Sequence, residues 1–194
     1  SYTMDEIVAV LYSGEELISD CSCKGIEHDD DDVLQCRDET VTALLGADVM
    51  YYHDAAAKGI DYTNFTVVYG TEDYQSTYLD FTFQFENAKN KAVFDTNPAK
   101  YVPAYGGFCS FGICAEYCNQ EFIWDAQCQG PVSDVSVFKV YNETLYFFAS
   151  KNVVDDWYDN VEVMIAAGDV RWDSWYPDGQ YRQNTLCLSD STAR

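Results

Sequence analysis

Several residue types on which catalytic and metal sites depend are scarce in this chain of 194 residues. It has two histidines, His28 and His53, so a three-histidine copper centre is excluded within one chain. The sequence contains neither a His-Glu-x-x-His zinc-protease motif nor a Gly-x-Ser-x-Gly nucleophile elbow. Catalysis is therefore a minor hypothesis, which would need His53 in a pocket beside a carboxylate with a perturbed pKa.

Basic residues and long apolar runs are scarce as well. The chain has 11 Lys and Arg against 33 Asp and Glu, and the resulting charge of −22 repels nucleic-acid phosphates. No apolar run approaches the roughly 20 residues that a membrane-spanning helix needs. Apolar residues make up 47% and aromatic residues 16% of the chain, which excludes wholesale disorder. These figures predict one acidic globular domain with extended ends.

Cysteine is present in an even number, and no Cys-x-x-Cys pair occurs, so the zinc-ribbon and thioredoxin motifs are missing. An even count favours disulfides in an oxidising compartment. We expect four intramolecular disulfides formed by Cys21, Cys23, Cys36, Cys109, Cys114, Cys118, Cys128 and Cys187.

Proximity along the chain favours particular partners among these cysteines, although eight cysteines allow 105 connectivities. One predicted bridge joins Cys21 or Cys23 to Cys36, and another lies among the cysteines at 114, 118 and 128. Cys187 is expected to tie the tail back to the body.

Two further features indicate secretion. The sequons at Asn64 and Asn142 permit N-glycosylation in a secretory pathway. The chain begins at Ser1, and its first residues lack a basic-then-apolar signal pattern, so we expect a mature extracellular glycoprotein whose signal peptide was removed.

The hydrophobic pattern predicts an α+β fold, a small antiparallel sheet with packed helices and disulfide staples. Phe81, Phe83 and Phe85 alternate with polar residues, as on a half-buried strand. The predicted elements are a helix over Val33–Leu45, a strand over Tyr78–Glu86, a helix from Asn87 to about Thr96, a hairpin of Ser136–Tyr141 and Thr144–Ala149, and a helix from Lys151.

Two strand-to-helix units in this pattern are alike. Phe85 precedes Phe94 by nine residues, and Phe148 precedes Trp157 by the same interval. An internal duplication into two similar halves explains this likeness. The alternative is that any capped strand followed by an amphipathic helix produces it, and both interpretations stay open.

One stretch resembles the YHS-domain family. The motif runs Phe85-x-Asn87-x-x-Asn90-x-x-x-Phe94-x-x-x-Pro98-x-x-Tyr101 and continues as Tyr105-Gly106-Gly107-Phe108-Cys109. Upstream, Asp48-Val49-Met50-Tyr51-Tyr52 is similar to the family's opening strand, and Gly168-Asp169-Val170-Arg171-Trp172 is similar to an extension of eukaryotic members.

The resemblance implies a YHS-like domain with its extension over 46–176. Residues 1–45 then form an amino-terminal helical and acidic extension, and 177–194 form a tail. YHS domains are suspected of binding metals, so the resemblance implies a protein that binds or carries a transition metal. Together with the secretion expected from the cysteines and sequons, this predicts an extracellular YHS-type metal-binding protein.

His53 is the better candidate for a metal ligand. With Asp48 and Tyr51 it offers imidazole, carboxylate and phenol donors, which suit copper, zinc or iron. His28, Asp29 and Asp31 form a second candidate set, whose oxygen ligands suit calcium. Solvated side chains at both places are the alternative interpretation.

Two functions other than transition-metal binding stay open. The acidic surface is compatible with a structural or interaction protein of an extracellular matrix or fluid that associates loosely with calcium. The abundance of aromatic side chains is compatible with a small-ligand carrier that has an aromatic pocket. The sequence favours neither a particular partner nor an oligomeric state.

Overall fold

The structure is a computed structural model, and it describes Cys36 and residues 38–114, 132–176 and 183–193. The predicted α+β fold class is confirmed, since short helices alternate with two small sheets. The first part contains a 3₁₀ turn (Ala43–Gly46), helix α1 (Val49–Ala57), strands β1 (Thr71–Tyr78) and β2 (Phe81–Phe85), and helices α2 (Ala88–Thr96) and α3 (Pro98–Tyr101).

The second part repeats this order of elements. It contains a 3₁₀ turn (Ala104–Gly107), helix α4 (Ser110–Cys114), strands β3 (Ser133–Tyr141) and β4 (Thr144–Phe148), helices α5 (Asn152–Asp159) and α6 (Val161–Trp175), and the short strand β5 (Leu188–Ser189). Strands β1 and β2 form one antiparallel hairpin. Strand β3 pairs antiparallel with β4 on one edge and parallel with β5 on the other.

Backbone conformation supports the interpretation that the two parts are similar halves. Leu44 has a φ of 56° in the first 3₁₀ turn, and Tyr105 has a φ of 50° at the corresponding place in the second. Both hairpins turn through two residues with positive φ, as right-handed strand twist favours: Leu79 and Asp80 in the first, Asn142 and Glu143 in the second.

Two hydrophobic clusters form the core, and the first takes in residues of both parts, since Val135, Phe138 and Phe147 belong to it. Phe81, Phe83 and Phe85 point from β2 into the first cluster and contact Phe94 of α2 or its neighbours, as their alternation predicted. The second cluster is centred on Trp157 of α5, whose ring lies 4.9 Å from that of Tyr146 and 5.2 Å from that of Phe148. The nine-residue interval thus places Phe94 and Trp157 in matching core positions.

Three predicted elements are wrong in detail. Residues 38–46 do not continue a helix from Val33, because the positive φ of Leu44 and Leu45 turns the chain back. The predicted strand over 78–86 begins at Phe81, since Leu79 occupies the hairpin turn. Residues 49–52 form the start of helix α1 rather than a strand, because Asp48 caps that helix.

The carboxyl-terminal segment is held by a disulfide between Cys36 and Cys187. This pairing corrects the predicted bridge from Cys21 or Cys23 to Cys36 and confirms that Cys187 ties the tail to the body. Beside it, the backbone N–H of Asn184 donates to the Gly106 carbonyl, and that of Thr185 donates to the Cys36 carbonyl, each at 2.8 Å. The side chains of residues 183–185 are buried, so the segment belongs to the folded body.

The remaining cysteine predictions divide between described and undescribed residues. Cys109 and Cys114 are buried free thiols in the structure, which corrects the expectation that every cysteine is paired. Cys21, Cys23, Cys118 and Cys128 lie outside the described residues. None of the described helices combines the length and apolar composition that a membrane crossing requires.

Candidate functional site

The predicted ligand Asp48 lies at the amino-terminal end of helix α1 and is fully buried. Its Oδ1 accepts a hydrogen bond from the Met50 N–H at 3.0 Å. Its Oδ2 accepts from the Glu86 N–H at 2.9 Å and from Asn90 Nδ2 at 2.8 Å. Burial raises the pKa of Asp48, although these three donors oppose the rise. The carboxylate thus joins α1 to the end of β2 and the start of α2.

The other two members of this predicted set face different neighbours. The Tyr51 hydroxyl donates to Glu86 Oε2, which raises the pKa of Tyr51 to about 12. His53 Nε2 lies 3.2 Å from the Tyr101 carbonyl oxygen, and burial lowers the pKa of this histidine. The structure therefore does not bring the carboxylate of Asp48, the phenol and the imidazole together. The second set, His28, Asp29 and Asp31, lies outside the described residues.

Cys109 occupies the place in the second half that Asp48 occupies in the first. It immediately precedes helix α4, as Asp48 precedes α1. Its thiol accepts hydrogen bonds from the backbone at Gly112, Ala149 and Phe111, but burial outweighs them and raises the pKa of Cys109. Ala149 follows the last residue of β4 just as Glu86 follows the last residue of β2. The two side chains therefore make equivalent connections in the two halves.

A second thiol, Cys114, belongs to a polar cluster inside the second hydrophobic core. The Tyr105 hydroxyl lies 3.0 Å from Asp169 Oδ1 on α6 and donates to it, with the Ile165 carbonyl oxygen at 3.3 Å as an alternative acceptor. Tyr105 and Cys114 are both buried, whereas Asp169 reaches the surface. A thiol, a phenol and a carboxylate thus meet where the second 3₁₀ turn, α4 and α6 come together.

Glycine permits this close approach. A Cβ atom on Gly168 would lie 2.5 Å from Cys114 Sγ and 2.6 Å from the Tyr105 hydroxyl oxygen. Both distances are far below van der Waals contact, so a larger residue would push the thiol and the phenol away from α6. Gly168 therefore defines the spacing of the cluster.

The thiol, the phenol and the carboxyl group of this cluster are hard to ionise when no cation is near. Burial raises the pKa of Cys114 to about 12, although the Trp157 indole N–H, the Tyr105 hydroxyl and the charge of Arg171 lower it. Burial also raises the pKa values of Tyr105 and Asp169, and the nearby negative charges add to the rise.

An unsatisfied donor adjoins the thiol. The indole N–H of Trp157 is fully buried and has no acceptor at hydrogen-bonding geometry among the described residues. It lies near enough to Cys114 to lower the pKa of that thiol. A buried donor without an acceptor carries a free-energy penalty, which an anionic sulfur atom beside it would relieve.

The sequence singled out Tyr105, Trp157 and the Gly168-Asp169 pair only as parts of the family motif or of the repeated nine-residue interval. The described residues hold no group of three His, Cys, Asp or Glu side chains arranged to bind a metal. The cluster adds a phenol to one thiol and one carboxylate, and 64 residues separate Tyr105 from Asp169. The chain was compared with protein-family models, with curated proteins and with solved structures, and none of the three gave a match.

Proposed function

We propose that this chain is an extracellular YHS-type binding protein that binds a transition metal through Cys114, Tyr105 and Asp169. The observation that carries the proposal is the meeting of thiol, phenol and carboxylate beside the unpaired indole N–H of Trp157. Thiolate sulfur with phenolate and carboxylate oxygen is a donor set that suits copper or iron, and zinc accepts the thiolate and carboxylate.

The pKa values of the donors determine how such a protein behaves. The cation must displace a proton from Cys114 and from Tyr105, whose pKa values lie above neutrality. Metal affinity therefore rises with pH. The Trp157 N–H then donates to the metal-bound sulfur, a supporting interaction of the kind that orients and tunes metal ligands.

Three observations support the extracellular part of the proposal. The Cys36–Cys187 disulfide is typical of oxidising compartments. The two sequons fit a secretory route, and the charge of −22 favours solubility in an extracellular fluid. The residues of the YHS-like motif, including Tyr105 and Cys109, support the family assignment.

Metal analysis of the purified full-length protein tests the function. We expect one equivalent of copper, iron or zinc, or uptake of one equivalent when these ions are added. The variants Cys114→Ser and Asp169→Asn should lose the metal, whereas Cys109→Ser is a matched control for the second buried thiol and should retain it. With copper or ferric iron, a thiolate or phenolate charge-transfer band should appear in the wild type and not in Cys114→Ser.

A protein that binds none of these ions would contradict the proposal. If the wild type and Cys114→Ser bound the metal equally, the protein would still be a metal-binding protein, but Cys114 would not be one of its ligands. Metal binding that is lost only in the His53→Gln variant would assign the metal site to helix α1 instead.

A further inference from the structure

The loop between α1 and β1 presents the first sequon on the molecular surface. Phe65, the middle residue of the sequon, points inward, and its ring lies 4.9 Å from that of Tyr52 and 4.7 Å from that of Phe138. Asn64 and Thr66, on either side of it, are exposed. The half-buried ring thus anchors the loop to the core, while both glycosylation determinants are open to solvent.

This loop is ordered by its own hydrogen bonds rather than by the asparagine. The Thr63 N–H donates to Asp61 Oδ1 at 3.0 Å, and the Asn64 N–H donates to the Asp61 carbonyl oxygen at 3.1 Å. The Asn64 amide nitrogen donates to the adjacent Thr63 hydroxyl at 3.0 Å, a contact confined to the loop surface. A glycan on that nitrogen therefore disturbs no core contact.

The second sequon forms the tip of the β3–β4 hairpin. Asn142 and Glu143 are exposed and have φ angles of 46° and 65°. Asparagine tolerates this left-handed conformation better than most residues, and the tip projects its side chain away from the sheet. Glu143 contributes an exposed ion pair with Lys100 at 3.3 Å, and the Asn142 side chain interacts with the adjacent Tyr141 hydroxyl at the surface of the hairpin.

One exposed aromatic surface interacts with residues next to both sequons, and on the Asn142 side the Tyr141 ring lies 6.1 Å from that of Tyr158. Lys139 of β3 lies 4.2 Å from the ring centroid of Tyr158, which is 44% exposed. The same lysine acts electrostatically on Asp61, three residues before Asn64. Asn142, which follows Tyr141, and Asn64, which lies three residues after Asp61, are thus each close along the chain to a residue that interacts with this surface.

We infer that Asn64 and Asn142 both carry N-linked glycans in the mature protein. The inference rests on the proposed extracellular location, because the glycan is transferred in the secretory pathway. It is independent of metal binding, since neither asparagine lies in the Cys114 cluster.

The test uses the full chain secreted from a eukaryotic cell. Treatment with a peptide N-glycosidase should lower the mass in two steps and convert both asparagines to aspartate. Asn64→Gln, Asn142→Gln and Thr66→Ala should each abolish one of these two decreases in mass. Asn160→Gln, which lies in no sequon, is the matched control and should leave both steps unchanged.

The outcomes separate this inference from the proposed function. A secreted protein with the Cys36–Cys187 disulfide and no glycan at either asparagine overturns the inference and leaves the extracellular assignment in place. Retention of the chain in the cytosol with both of these cysteines reduced overturns both proposals. Occupancy at only one asparagine refutes the inference for the other.

Discussion

Cys109 and Asp48 accept hydrogen bonds from equivalent backbone donors in the two parts of the chain, but with different acceptor atoms. Each side chain precedes a helix and binds the N–H groups of that helix together with the backbone just after a strand. A thiol is a weaker and larger acceptor than a carboxylate, so the cysteine is the more replaceable of the two. Its buried position reflects packing and capping rather than reactivity.

This interpretation predicts losses of different size for two substitutions of Cys109. Serine keeps an acceptor, so Cys109→Ser should lower the free energy of unfolding by less than about 1 kcal/mol. Valine matches the thiol in size but leaves the N–H donors of Gly112 and Ala149 unpaired, so Cys109→Val should cost about 1–3 kcal/mol. Chemical denaturation of both variants checks the order. Equal losses would show that the backbone donors do not depend on the thiol.

His53 predicts a pH dependence of stability. Burial lowers its pKa in the folded protein, although the Tyr101 carbonyl partly opposes the change. The neutral imidazole therefore contributes stability that is present above the pKa of unfolded histidine, about 6.5, and is lost as the pH falls from that value through the lower pKa of the folded protein. Between pH 7 and pH 5 the wild type should lose more unfolding free energy than His53→Gln. Parallel pH profiles of the two proteins would contradict this expectation.

At the scale of elements, the packing of α4 against α6 depends on Gly168. Substitution by alanine would gain about 1 kcal/mol of helix propensity. The added methyl would, however, collide with Cys114 Sγ and the Tyr105 hydroxyl, and such overpacking typically costs about 1–3 kcal/mol. We therefore expect Gly168→Ala to be destabilising in thermal or chemical unfolding.

A double variant provides the control for this packing. Cys114→Ala removes the nearer of the two clashing atoms, so the cost of Gly168→Ala should fall in that background. If Gly168→Ala lowered the unfolding free energy equally in the wild type and in Cys114→Ala, the effect would come from the helix backbone and not from the cluster.

Some elements were predictable from sequence because their physics is local. Phe81, Phe83 and Phe85 alternate with polar residues, and this period of two specifies a strand wherever it falls. The segment from Asp48 to Tyr52 was not predictable in this way, since a short apolar run suits a strand or a buried helix. The Asp48 side chain that caps the helix is also held by Glu86 and Asn90, which lie far along the chain. The left-handed turn at Leu44 leaves no recognisable trace, because glycine usually occupies such positions.

The candidate site shows the same division. Tyr105 was visible as part of a motif, but its contact with Asp169 joins residues far apart in the chain. Cys114 was expected in a disulfide, because cysteine count and spacing carry no information about burial against Gly168. The pairing of Cys36 with Cys187 likewise depends on where the tail packs, which proximity along the chain does not report.

At the scale of the whole molecule, the Cys36–Cys187 disulfide closes a loop across a sequence separation of 151 residues. Restricting the unfolded chain over such a loop stabilises by about 5 kcal/mol in the chain-entropy model. We expect the double variant Cys36→Ser, Cys187→Ser to lose a large part of its unfolding free energy relative to the wild type.

Reductant supplies the matched comparison for this prediction. Mild reduction should destabilise the wild type towards the level of the double serine variant and should leave that variant unchanged. A wild type that unfolds identically with and without reductant, while mass analysis shows both thiols free, would mean that hydrogen bonds such as Thr185 N–H to the Cys36 carbonyl hold the tail without help.

The same bond determines how the molecule responds to mechanical tension. A pulling force applied through the residues before Cys36 and after Cys187 passes directly across the S–S link, whose Cα atoms lie 4.9 Å apart. Both hairpins lie within the closed loop and carry none of that load. Until the disulfide is reduced, the folded body therefore acts as a short inextensible connector, however weakly its individual strands resist shear.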